Sequence, residues 1–574
     1  MMWLINAKTY TLENITNPQK GSYAILSHTW EDGEVSFQQY RNIAEAIKLK
    51  GFKKIDKTVQ LAREKNLKYA WVDTCCINQS SSAELSEAIN SMFKWYSDAA
   101  VCLVFLSDLP TAKITPLIAL ANSVWSRIIG SREVLREQLV EVHKSIGLTF
   151  AQCRWFFRGW TLQELIAPKF VEFYDDGWVL IGTKQTLREP LSCVTRIPKS
   201  VLLKDVALRK VSNAQRMSWA ADRRTTRVED IAYCLLGLFG INMSPLYGEG
   251  QNAFIRLQEE ILKQSDDVTL FAWETEENDD QQYQGILASS PDKFRGSGTI
   301  TQHKATTNEA GEFRMTNKGL RLNQNNLLQL NHNTAILSLN CNRSGIGYSN
   351  TGIHLMNTSH GYVRFLPHKL VELSEFSQLT SNVEVPVFIT KTVHPEDSRE
   401  IAKHSIGLTF EYKEVTKLSI WPQTLYNSIE ERGFFDAESY PQPILIESLD
   451  HLGHQDQFLI LFNAAGDLSI CLSHLASLGC QQLGLVQRQD EDVELLIKTN
   501  HFKHSVLRGL LSYQRNNMPW DHIFEYCGEN STKEVCLAGE VFICTVRLSM
   551  GSRFKPGDFK TSHALEIKIT KRKS

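Results

Sequence analysis

Three short apolar runs, separated by two amphipathic stretches, restrict the first hundred residues to one kind of fold. The runs are Tyr23–Ser27 (YAILS), Tyr69–Asp73 (YAWVD) and Val101–Leu106 (VCLVFL). Each is bounded by polar residues and has the length of a buried strand. Between the first two, Phe52, Ile55, Val59 and Ala62 recur at helical spacing. Between the second and third, Leu85, Ala88, Ile89, Met92 and Tyr96 form one apolar face, and Ser80, Ser81 and Ser82 supply N-cap residues. A β-α-β-α-β order of this kind predicts an α/β domain: a parallel sheet flanked by helices with right-handed crossovers.

Residues 110–153 interrupt the alternation and read as a helical insertion. Arg154–Ile166 then resumes as a helix, and Phe170–Tyr174 reads as a strand paired with Trp178–Ile181. These features delimit a first domain over residues 1–190. Residues 191–273 read as a helical extension. Within it Val228, Ile231, Ala232, Leu235, Leu236 and Phe239 form one apolar face, and Ala253, Phe254, Leu257 and Ile261 another. The acidic run Glu274–Asp280 (ETEENDD) marks a boundary. Beyond it, over 281–574, short apolar or alternating runs recur between Gly, Asn, Asp and Ser. Among them are Ala335–Leu339, Tyr362–Leu366, Phe458–Phe462 and Val541–Val546. They predict a β-rich half, with a division into two subdomains near residue 400. A chain of 574 residues exceeds what one hydrophobic core serves, so several domains are expected.

Composition narrows the function classes. The formal net charge is -2, which argues against a general nucleic-acid binder. The longest apolar stretches, Val101–Leu106 and Ile231–Ile241, fall far short of the roughly 20 residues that span a bilayer. No secretory signal opens the sequence, so a cytoplasmic location and no membrane span are expected. The 12 cysteines include no C-x-x-C pair, so no metal site is expected. Tyr247-Gly-Glu-Gly250 lacks the lysine of a phosphate loop and reads as a turn before a helix.

Four segments carry a family resemblance: Tyr23–Trp30 (YAILSHTW), Ala70–Gln79 (AWVDTCCINQ), Ala83–Leu106 and Arg154–Pro168 (RWFFRGWTLQELIAP). Their order and spacing resemble those of the fungal heterokaryon-incompatibility (HET) domain, and Met217–Gly250 resembles the helical extension that follows it. The HET domain is in turn similar to the TIR signalling domain, which implies a TIR-like, flavodoxin-like parallel sheet. Trp160-Thr-Leu-Gln-Glu164-Leu165 is similar to the TIR pattern Trp-Cys-x-x-Glu-Leu, with Thr161 in place of Cys.

The resemblance implies a part in non-self recognition and regulated cell death, with protein partners from incompatibility or NLR-like signalling and self-association on activation. It also implies NAD+ as a substrate rather than a bound cofactor, with Glu164 as the catalytic carboxylate. Cleaving the nicotinamide–ribose bond builds an oxocarbenium-like centre that one carboxylate stabilises, and the neutral pyridine leaves without an acid. Trp160 lies one helical turn before Glu164. Ser27, His28, Thr29 and Asp73 follow the first two strands, where an open parallel sheet binds its ligands. These five are the expected nucleotide-lining residues. Other readings stand beside these: Glu164 in a surface ion pair with Arg154 or Arg158, a Cys-His-Asp set from Cys75 or Cys76 with His28 and Asp73, and a non-catalytic adaptor that works by self-association. The solvated face bearing Glu84 and Glu87 is a candidate assembly surface.

Overall fold

The computed structural model describes residues 2–128, 133–276, 279, 281, 283–302, 313–322, 327–329, 334–343, 350–358, 361–373 and 387–397, and the backbone of nine strands between 405 and 571. The chain divides into two compact units. One comprises Met1–Glu274, Leu287–Thr306 and Asn340–Tyr348, the other Thr275–Ile286, Thr307–Leu339 and Ser349–Ser574.

The first unit is built on a seven-stranded sheet: β1 (Met2–Asn6), β2 (Leu12–Ile15), β3 (Tyr23–His28), β4 (Tyr69–Trp71), β5 (Val101–Phe105), β6 (Val171–Tyr174) and β7 (Leu180–Thr183), in the order β2-β1-β4-β3-β5-β6-β7. The four inner strands are parallel, and antiparallel pairs close both edges. The apolar runs become β3, β4 and β5, which are buried throughout because helices cover both faces of the sheet. The hairpin of β1 and β2 was not legible in the sequence, since its strands are short and mixed in polarity.

The Phe52–Glu64 helix joins β3 to β4, and the Ser82–Asp98 helix joins β4 to β5. Because β4 and β5 flank β3 on opposite sides, right-handed crossovers place these helices on opposite faces. The direction of winding reverses between β3 and β5, and the crevice beyond their carboxyl ends is where such sheets take ligands.

Two helices, Thr111–Ile128 and Glu133–Phe150, fill the excursion before β6. The helix expected over Arg154–Ile166 is broken. Arg154–Phe157 is a single 3-10 turn, Arg158 is extended, and an α-helix resumes over Thr161–Ile166. The break is imposed from a distance: Gly159 N donates to Arg224 O (2.9 Å) and Arg224 N donates to Phe157 O (2.6 Å). A Cβ on Gly159 would lie 2.5 Å from Thr225 Cγ2, so the two segments approach this closely only at glycine.

The extension is helical but fragmented, with helices Asn213–Ser218, Asp230–Tyr233, Leu236–Phe239 and Asn252–Gln264. The single apolar face expected from Val228 to Phe239 splits between two short helices, and Val228 is 53% exposed. Gly240, at φ +71, ends the second of them.

In the second unit, nine strands between Tyr283 and Ile389 form one sheet, antiparallel but for the short pairing of Tyr362 with Ile389. Tyr283, Met356, Val363, Phe365 and Leu366 pack into its core. Sheets of five and four strands follow between 405 and 571. The region beyond the acidic run is thus rich in β-structure among the described residues. The division expected near residue 400 lies outside them.

Candidate functional site

Side chains of β3 alternate between the two faces of the sheet. Tyr23 and Ser27 turn toward the Ser82–Asp98 helix: Tyr23 OH donates to Trp95 O. His28 turns the other way, toward Lys54 of the Phe52–Glu64 helix. The two neighbours therefore enter different clusters.

The first cluster surrounds Glu164. The indole Nε1–H of Trp155 can only donate, and it donates to Ser27 Oγ at 2.8 Å. The Ser27 hydroxyl in turn donates to Glu164 Oε2. On the other side the Glu164 carboxyl hydrogen-bonds with the Tyr96 hydroxyl. That hydroxyl has one proton, which it gives to Leu26 O at 2.9 Å.

Burial and charge favour the protonated acid. Glu164 is 3% exposed. Burial, and then the negative charge of Asp73, push its pKa up to about 8, against the smaller opposing effects of Ser27, Arg158 and Tyr96. Glu164 is in no ion pair among the described residues. Arg154, the partner that a surface reading would give it, pairs with Glu31 (2.9 Å) and Asp108 (3.2 Å) instead.

The Glu164 helix is held at both ends. Arg223, 3% exposed, donates to Arg158 O (2.9 Å) and Thr161 Oγ1 (3.0 Å) at its start. At its end, buried Lys184 donates to Leu165 O (3.0 Å) and Pro168 O, and Lys204 donates to Ala167 O. Cations belong at a helix C-terminus, where carbonyls lack internal partners. Burial, and then nearby Lys204, lower the Lys184 pKa to about 7.

The second cluster lies at the end of β4. His28 Nε2 is 3.0 Å from Asp73 Oδ1, and Trp30 Nε1 donates to Asp73 Oδ2 at 2.7 Å. Burial disfavours the Asp73 carboxylate, but neighbouring His28, the Trp30 N–H and the Arg158 charge outweigh it and hold its pKa below the ordinary value. Lys54 approaches His28 Nδ1 (3.4 Å), donates to Thr29 O (3.2 Å) and pairs with Glu31 and Glu34.

The structure therefore brings Ser27 to Glu164 and His28 to Asp73, with Thr29 contributing its carbonyl. The Trp160 side chain hydrogen-bonds with Asp230 of the extension, so the indole in the Glu164 network is that of Trp155. Cys75 and Cys76 are buried, and burial pushes the Cys75 thiol well up, contrary to what a nucleophile needs. Glu84 and Glu87 are exposed, and Glu84 accepts from Trp3 Nε1 at 3.2 Å. Sequence reasoning missed Tyr96, Trp155, Trp30 and Lys54 as members of the clusters. Tyr96 and Trp155 carried only the signal of apolar core residues. Trp30 and Lys54 could have been flagged as polar-capable groups beside the strand ends.

Residues 23–164 match the family described as heterokaryon incompatibility protein (HET), and residues 252–335 match a domain of unknown function, DUF8212. A stretch of 244 residues, 42% of this chain, is 41% identical to vegetative incompatibility protein HET-E-1 of Podospora anserina. The match spans 16% of that protein's length. No solved structure matches this chain.

Proposed function

Because this chain is a HET-domain protein, we propose that it acts in vegetative incompatibility and that its first domain is a TIR-like module that cleaves NAD+ at Glu164. The observation that carries this reading is a buried carboxyl group without an ion-pair partner among the described residues, held on Ser27, the penultimate residue of β3, beside the reversal of strand order. A glutamine would satisfy the same hydrogen bonds without the penalty of burying an ionisable acid. Carboxyls with strongly perturbed pKa values cluster at functional sites, which supports a chemical role for this one. The parallel order second-first-third-fourth supports a flavodoxin-like relationship.

In this reading the closed structure is a resting state. A protonated, buried Glu164 neither stabilises an oxocarbenium centre nor meets a ribose. Activation by self-association or a partner exposes the carboxyl, water ionises it, and the nicotinamide–ribose bond then breaks with nicotinamide leaving and water adding to the ribose. Full-length protein forced to oligomerise should consume NAD+, and Glu164→Gln should lower the rate by roughly 100-fold or more. Chromatographic NAD+ loss checks this, and equal rates in the two proteins would refute the assignment.

The 3% exposure of Glu164 favours a second reading, in which the module signals by assembly alone and Glu164 is structural. Cell killing that survives in Glu164→Gln would select it.

A further inference from the structure

Arg158 carries hydrogen-bond donors that the two clusters leave unused among the described residues. Its backbone is fixed from both sides, because Arg223 Nη1 donates to its carbonyl and its neighbours Phe157 and Gly159 bond with Arg224. Its side chain is free by contrast. The guanidinium lies over the Trp30 ring, 5.6 Å from the centroid, and makes no hydrogen bond or ion pair among the described residues. Every other arginine of this region is engaged: Arg154 with Glu31 and Asp108, Arg223 with three acceptors, Arg224 with Asp292. Trp30 is itself anchored, since its Nε1–H is taken by Asp73, which His28 holds in turn. It remains 40% exposed. The Arg158 charge is felt at both Asp73 and Glu164, so this arm sits beside the proposed reaction centre.

We propose that Arg158, stacked on Trp30, is a phosphate-recognition arm that binds the pyrophosphate of a dinucleotide beside Glu164. A guanidinium presents a planar fork of donors that matches phosphate oxygens, and an indole face holds that fork in place without competing for its hydrogens. A rigid backbone with an unpaired fork is organised for an anion before the anion arrives. The inference rests on the nucleotide-cleaving reading of Glu164, and it names the part of the substrate that the carboxyl does not touch.

Calorimetric titration of full-length protein with ADP-ribose separates the two. Wild type and Glu164→Gln should bind alike, and Arg158→Gln should weaken binding at least tenfold. Arg158→Lys, a cation without the fork, should recover only part of the loss, and Trp30→Ala should weaken binding severalfold. Inorganic pyrophosphate should compete in wild type and not in Arg158→Gln. Arg158 is partly exposed, so an unchanged thermal midpoint certifies the variants as folded. Absence of ADP-ribose binding by wild type at millimolar concentration, or binding that Arg158→Gln leaves unchanged, overturns the proposal. Arg158-dependent binding in a protein that never consumes NAD+ would sustain it and reject hydrolysis.

Discussion

Glu164→Gln should unfold at a higher urea concentration than the wild-type chain at pH 8, and the difference should shrink as the pH falls toward 5. The folded-state pKa of Glu164 is about 8, against an ordinary 4.5. Between those values the folded chain holds a proton on this residue that the unfolded chain has released. Stability then falls as pH rises, because the native state binds more protons than the unfolded state. Below about pH 4.5 both states are protonated and the effect vanishes. Glutamine mimics the protonated acid, accepting from Ser27 and donating to Tyr96, and does not titrate. The gap between variant and wild type at pH 8 should be on the order of a few kcal/mol. The same substitution that gains stability is expected to lose NAD+ cleavage. A gain in stability with a loss of activity is the mark of a residue kept for chemistry.

Gly237→Ala should destabilise the first unit by about 3 kcal/mol or more. A Cβ at this position would stand 2.0 Å from Phe93 Cβ and 2.5 Å from Phe93 Cγ. Phe93 belongs to the Ser82–Asp98 helix, whose Tyr96 closes the Glu164 network. The obstruction involves the root of a side chain in the middle of a long helix, so no rotamer change relieves it and the Leu236–Phe239 segment must lift away. Chemical denaturation followed by circular dichroism measures the effect. Gly240→Ala is the control. Nothing lies within 4 Å of a Cβ there, so its cost is confined to the positive φ of +71 and should be about 1 kcal/mol.

The inner sheet was legible because parallel strands covered on both faces must be apolar along their whole length, and Tyr23–Ser27, Tyr69–Asp73 and Val101–Leu106 are. The helix faces were legible for the same reason: Ile55, Val59, Ala88 and Met92 recur at helical spacing and are buried. Strand alternation would also have separated Ser27 from His28, since adjacent residues of a strand face opposite ways. Grouping them at one rim overlooked that. Two further features depended on contacts that local sequence does not encode. The helix break at Gly159 is set by backbone bonds to Arg224, far along the chain. It decides that Trp155, rather than Trp160, joins the Glu164 network. Likewise the proton on Glu164 follows from its burial and from the nearby charge of Asp73, and the residues that enclose it, Ser27, Tyr96 and Trp155, come from three separate elements. The fragmentation of the extension has the same origin. Its apolar residues were visible, but the close approach of Gly237 to Phe93 that fixes where they pack was not.

The NAD+-cleaving reading of this domain depends on one carboxyl group, that of Glu164, holding its proton at neutral pH. Difference infrared spectroscopy of wild type against Glu164→Gln reads that proton directly. A protonated-carboxyl band is expected in the wild-type protein at pH 7, disappearing near pH 8 and missing from the variant. A wild-type spectrum without that band at pH 7, or one whose Glu164 band is lost in the ordinary carboxylate range near pH 4.5, would contradict that reading.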